Sequence, residues 1–361
     1  MGGRALVSTR KGLFTLARRR GGWEVERADF LGTPISMALH DPRDGTTYAA
    51  HDNGHFGVKL HRRDADTNDW QEIAAPAFPK VEAAGSGNAP AVSLVWELVA
   101  GPSARLGELW AGTVPGALFR SRDRGESWEL VESLWNVPER ERWFGGGKDE
   151  PGIHSIVIDP RDPDSLTLAI SCGGVWKSRD AGATWTNTGR GMRASYMPPD
   201  QAENLVTQDP HRLQLCAASP DVMWVQHHDT RFRSTDGGLS FTEIGAKPPS
   251  VFGFAVAAHP SDPETAWFVP AVKDECRYPA DARVVVARTR DGGESFETLD
   301  RGLPKKHAYD LVYRHGLAVD ADGETLVMGS TSGGVWFSED GGDSWAALDA
   351  RLPPVYAASF A

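Results

Sequence analysis

A handful of histidine, carboxylate and tryptophan side chains in this 361-residue chain are of the types that acid–base, metal or sugar chemistry needs. His227 and His228 are adjacent, whereas His51, His55, His154 and His307 stand apart in the sequence. Imidazole exchanges protons near neutral pH and ligates transition metals. Asp149, Glu150, Asp229, Asp274, Glu275 and Asp310 are acids in segments that read as loops. Glycoside hydrolysis needs two carboxyl groups about 5–9 Å apart across the scissile bond. Trp96 and Trp143 offer flat apolar faces to a sugar ring, and Tyr309 adds an aromatic group with a hydroxyl. No His-x-His or Cys-x-x-Cys spacing occurs. A site made from these residues must therefore be assembled by the fold, because local spacing supplies no ligand set.

The elements that could assemble it come from a repeat. The octet SRDRGESW at 121–128 returns as SRDAGATW at 178–185, STDGGLSF at 234–241, TRDGGESF at 289–296 and SEDGGDSW at 338–345. Each octet joins two short apolar runs and reads as the turn of a β-hairpin. Two more strand-like runs precede it, separated by an Asp-Pro or Asp-Gly turn. The unit is four short antiparallel strands, here A to D. Repeated radially, such units are propeller blades. Two degenerate units come first, at 5–25 and around HRRDADTNDW at 61–70, which makes seven. The first unit starts at strand B and lacks strand A. The tail 355–361 is a strand without a unit. The expected fold is an all-β, seven-bladed propeller over 1–361 as one domain, with 355–361 completing blade 1 and closing the ring.

This topology sorts the chemistry. A–B and C–D turns share one face, so every octet lies there, with His40 and His259 as structural residues beside the A–B turns. D–A and B–C loops share the other face. Long D–A insertions at 75–92, 135–152 and 190–213 suggest function on that face. Strand A is innermost. Aligning the units on their A–B turns places Ser36, Trp96, His154, Gln214, Phe254, His315 and Tyr356 around the channel. Adjacent strand residues point to opposite faces, so only one of His227 and His228 can face inward. The candidate acid–base residues are His154, His227 or His228, and Glu275. The candidate ligand-binding residues are Trp96, Trp143, Gln214, His315, His51 and Tyr309. Cys172 lies nearby without an identifiable base partner. No cofactor is required by this reading; a divalent metal held by His51, His154 and His228 is the alternative.

The octets match the Asp-box, or BNR, pattern Ser-x-Asp-x-Gly-x-Ser/Thr-Trp. The chain resembles the Asp-box β-propeller superfamily over nearly its whole length. Trp143-Phe-Gly-Gly-Gly, Pro151-Gly-Ile-His-Ser, Gln208-Asp-Pro-His-Arg and Phe252-Gly-Phe are similar to segments of bacterial sialidase-like, BNR-repeat glycosyl hydrolase-like proteins. The resemblance implies a carbohydrate or other small ligand at the channel mouth, or a scaffold that uses the same face for a protein partner. Sialidases carry a Phe-Arg-Ile-Pro segment, and positions 33–36 here read Thr-Pro-Ile-Ser, so sialidase activity itself is not expected.

Composition narrows the partners. A net charge of −11 repels phosphate backbones and argues against nucleic acid. No apolar run approaches the roughly 20 residues of a membrane span. Three scattered cysteines make no disulfide framework, and 1–14 shows no leader pattern, so a cytoplasmic location is expected.

Overall fold

The computed structural model describes residues 3–54, 57–80, 90–245 and 249–361. Seven four-stranded antiparallel sheets follow one another around a ring. Their inner strands are Ile35–His40, Leu94–Ala100, Ile153–Asp159, Pro210–Cys216, Gly253–Ala258 and Leu317–Val319 for blades 2 to 7. The inner strand of blade 1 is Val355–Phe360, which pairs with Arg4–Thr9 through Ala5↔Phe360, Leu6↔Ser359 and Val7↔Ala358. Each inner strand packs on the next, and Val355–Phe360 touches those of both blade 7 and blade 2. The closure expected from the orphan tail is therefore present. It covers the strand edge that Arg4–Thr9 would otherwise leave bare.

The blades hold together through apolar clusters that cross their boundaries. Leu60 and Tyr48 of blade 2 pack with Leu98, Leu109 and Phe119 of blade 3. Trp267 and Val286 of blade 6 pack with Leu326, Met328 and Trp336 of blade 7. Strands covered on both faces need continuous apolar runs, which explains why strand B segments such as Ala266–Pro270 lack polar alternation. Helix is confined to single turns such as Glu132–Trp135, and among the described residues no helix is long and apolar enough to cross a membrane.

The five octets share one hydrogen-bond plan. In the fourth, Asp291 Oδ1 accepts from the Ser295 amide at 2.9 Å and from Thr289 Oγ1 at 2.9 Å. Its Oδ2 accepts from Ser295 Oγ at 2.5 Å, and the Gly293 amide donates to Thr289 Oγ1 at 2.9 Å. Gly293 has φ +98°, a conformation that side chains other than glycine rarely adopt. Asp123, Asp180, Asp236 and Asp340 repeat the bond to the hydroxyl four residues on. These aspartates are consumed by turn chemistry, on the face opposite the long loops.

Candidate functional site at the channel mouth

The inner strands of blades 2 to 6 each carry a register shift near their start, at Ile35/Met37, Val95/Glu97, Ile153/Ser155, Pro210/Arg212 and Gly253/Val256. A bulge bends the strand and re-aims a side chain. Ser36, Trp96, His154, His211 and Phe254 sit at these bulges. Blade 5 corrects the expected ring. Its A–B turn pairs Cys216 with Ser219, as blade 4 pairs Asp159 with Asp162. Five residues before the turn are His154 in blade 4 and His211 in blade 5. Pro220 marks the end of the blade 5 turn, and aligning on it displaces the register by three residues, to Gln214.

Ser36, Trp96, Phe254, His315 and Tyr356 line an open cavity of about 260 Å³ at the mouth. Tyr313, Arg314, Arg277, Lys148 and Asp52 complete most of its wall. Arg314 is only 6% exposed. Its guanidinium lies 4.9 Å from the Trp96 ring centre and 5.2 Å from that of Phe254, and it makes no hydrogen bond to any described residue. Arg277 is held by Asp274 at the rim. Asp52 also lines an adjoining groove with Asp149 and Glu150.

Below the cavity a buried ionic group fills the channel. Arg212 Nη1 binds Glu97 and, at 2.5 Å, the His154 carbonyl. His315 Nε2 donates to the same carbonyl at 2.9 Å and lies 3.3 Å from Glu97 Oε2. With its amide turned so that the oxygen faces Arg212, Gln214 accepts from Arg212 Nε at 2.9 Å and Nη2 at 2.7 Å. Burial pushes the Glu97 carboxyl up, but Arg212 and His315 more than offset it and hold it below its ordinary value. Gln214 thus buttresses Arg212 and lines the cavity on the octet side of this group, away from the mouth.

The other candidates disperse. His154 is fully buried beside Trp96, with ring centres 5.3 Å apart, and burial drives its imidazole well below the usual range. His51 turns into blade 2, stacked on His61 at 4.2 Å and edge-on to Phe30. Trp143 packs edge-on against Trp176 under its loop. Tyr309 is 65% exposed beside Tyr278, and the Glu275 carboxylate is exposed and 3.2 Å from Lys273. None of these five, His154 included, lines the mouth cavity. His55 lies outside the described residues. The strand ends at His227 and His228 follows in the bend, so alternation does not separate them: His227 packs on Phe232 with its Nε2 accepting from the Asp209 amide at 3.2 Å, and His228 turns toward the Asp209 carboxylate and Tyr196. The supposed metal trio of His51, His154 and His228 is therefore not formed. His228 instead meets Asp209 and His211, the one group among the described residues with a metal-compatible donor set. Asp209, His211 and Arg314 were missed as site residues. The signal for two of them was the segment 208–212, whose Asp-Pro-His places two ligating side chains two residues apart.

Buried imidazoles and the hydrogen-bonded octet carboxylates together give the protein a two-stage acid response. Burial lowers His51 to about 4 and also holds His154 well below its ordinary value. Against an unfolded value near 6.5, the folded state binds fewer protons, so stability is full above that pH and falls as pH drops toward 4. His228, raised by Asp209 against the opposing effect of its burial, works in the other direction but is a single group. The octet acid Asp291, lowered to about 2 by hydrogen bonds from Ser295, loses its contribution only below about 4. Urea midpoints should fall first between pH 6.5 and 4 and again below pH 4. A midpoint that stays flat from pH 7.5 to 4.5 would contradict the first stage.

The ring of seven sheets defines the class: this is a seven-bladed β-propeller with a polar, aromatic-walled mouth. No family model matches the chain. A xyloglucanase of a Paenibacillus species is 26% identical over 255 residues, covering 64% of this chain and 23% of that enzyme. The chain thus spans about a quarter of that relative's length. Among solved structures, an ancestral GH74 enzyme superposes with a TM-score of 0.60 at 15% identity, over 91% of this chain and 38% of its own. A protein of unknown function from Desulfotomaculum acetoxidans gives 0.59 at 10% identity, over 99% and 98% of the two chains. These structural likenesses concern the fold.

Proposed function

We propose that the channel mouth binds a carbohydrate bearing an acidic group. The observation that carries this reading is Arg314: a nearly buried guanidinium, stacked between Trp96 and Phe254, without a hydrogen-bond partner among the described residues, facing an open cavity. A desolvated arginine offers paired donors to a carboxylate. Three cations line the cavity against one acid, Asp52. Trp96, Tyr313 and Tyr356 supply aromatic faces for sugar rings. The xyloglucanase relative supports a carbohydrate as the ligand class. A glycoside hydrolase-like activity would draw on Asp52 together with Asp149 or Glu150 across the shared groove, since the mouth cavity itself holds a single carboxylate.

Titration calorimetry with neutral and uronic acid-containing oligosaccharides tests this. Acidic oligosaccharides should bind better than neutral ones of equal length. Arg314→Ala should weaken that binding by tenfold or more, as expected for loss of a charge-assisted hydrogen bond worth about 1.5–3 kcal/mol. Asp52→Asn should keep binding and abolish any turnover. Equal affinity of wild type and Arg314→Ala for the acidic ligands would overturn the assignment.

A further inference from the structure

We propose that Asp209, His211 and His228 form a binding site for a divalent ion of the zinc class, at the blade 5 edge of the mouth. Asp209 Oδ2 lies 3.3 Å from His211 Nε2 and 3.4 Å from His228 Nδ1, and the three donor atoms all fall within 4.8 Å of one another. Both contacts are longer than ordinary N–H···O bonds, which span about 2.7–3.2 Å. They match the edge of a tetrahedron. Ligands held about 2.0–2.1 Å from a central zinc lie roughly 3.3–3.4 Å apart.

The surrounding bonds prepare the donors. His211 Nδ1 lies 2.7 Å from the Gly253 carbonyl, which can only accept. Nδ1 therefore carries the hydrogen, and a neutral His211 aims the bare lone pair of Nε2 at a carboxylate oxygen. Two acceptors face each other there, and a cation between them resolves the conflict. A backbone carbonyl on the far ring nitrogen is the usual way a metal-binding histidine is oriented. Asp209 is equally committed. Its Oδ1 accepts from Ser171 Oγ at 3.2 Å and from the Cys172 amide at 3.1 Å, which leaves Oδ2 for the ion. Cys172 adopts φ 47°, a left-handed conformation.

Packing fixes the rings. His211 stacks on Phe254 with centres 4.5 Å apart, and His228 meets the edge of Tyr196 at 5.0 Å. The His228 amide also donates to the Asp209 carbonyl at 3.0 Å, tying the B–C loop to the start of the inner strand. Asp209 and His211 are 3% and 2% exposed, whereas His228 is partly exposed, so the group is reached from solvent on the His228 side. Three protein ligands leave one tetrahedral position for water or a bound molecule. Phe254 is the wall shared between this group and the mouth cavity.

The test uses the full chain without an affinity tag, stripped with chelator and titrated with Co2+ and Zn2+. One equivalent of Co2+ should give the intense visible absorption of a tetrahedral site, and Zn2+ should displace it. Zn2+ should also raise the wild-type Tm. Removing a ligand should cost at least as much as losing an outer-shell partner, about 10–100-fold in affinity. Asp209→Asn and His228→Ala should show that loss, while His51→Gln, remote from the group, should not. His228 is partly exposed, so its replacement keeps the test valid should Asp209→Asn fail to fold. Stoichiometry below one in the wild type, or unchanged Zn2+ affinity in His228→Ala, would overturn the site and leave a protonated histidine–aspartate pair in its place. No carbohydrate is used, so the outcome is independent of the mouth's proposed ligand.

Discussion

Deletion of residues 355–361 is expected to abolish cooperative folding or to lower Tm by about 10 °C or more. Val355, Ala357 and Ala358 are at most 6% exposed and belong to the inner strand of a blade whose other three strands come from the opposite end of the chain. The deletion removes the ladder to Arg4–Thr9 and the contacts to the inner strands of blades 2 and 7. It also removes the Ala358 amide bond to the His315 carbonyl at 2.8 Å. Burying one valine contributes about 1.5–3 kcal/mol. Loss of a whole inner strand therefore approaches the net stability of an ordinary domain, about 5–15 kcal/mol. The newly bare edge of Arg4–Thr9 should also promote association between molecules. Calorimetry and light scattering of the truncated chain check both effects, and adding a synthetic 355–361 peptide should restore part of the lost Tm. A truncated protein that melts within 2 °C of the full chain would mean that the ring does not depend on its closing strand.

Arg212→Met is expected to cost about 3–5 kcal/mol, because it leaves the Glu97 carboxylate buried with only His315 beside it. The same substitution removes the donor to the His154 carbonyl and to Gln214. Removing one partner of a buried pair is costlier than removing the pair, because the remaining charge keeps its desolvation penalty. The double variant Glu97→Gln/Arg212→Met should therefore be more stable than Arg212→Met alone. Urea unfolding of the wild type, Arg212→Met, Glu97→Gln and the double variant gives the coupling between the two positions. A loss below 1 kcal/mol in Arg212→Met would show that water or a shifted side chain replaces the guanidinium. Mouth binding should weaken only modestly in this variant, since Arg212 lies below the cavity and is not part of its wall.

The octets, the four-strand unit, the count of seven and the orphan tail were all legible along the chain. They rest on local chemistry: a hydroxyl, an aspartate and a left-handed glycine close each hairpin within eight residues, and side chains alternate along strands wherever the chain is folded. Ring closure follows from those counts, because one strand is missing at the start and one is spare at the end. The mouth residues Trp96, Phe254, His315 and Tyr356 followed from the same register.

Tertiary structure decided the rest. Bulges at the starts of five inner strands rotate side chains that strict alternation would place, and the short blade 5 turn moves the ring position from Gln214 to His211. Glu97, Arg212 and His315 meet across three blades, more than 100 residues apart in sequence, so no spacing announces them. Arg314 likewise meets Trp96 and Phe254 only through the fold, since the three are at least 60 residues apart in sequence. Turn chemistry is written within a few residues, whereas the channel is built by one short strand from each blade, and only closing the ring determines which side chains converge there.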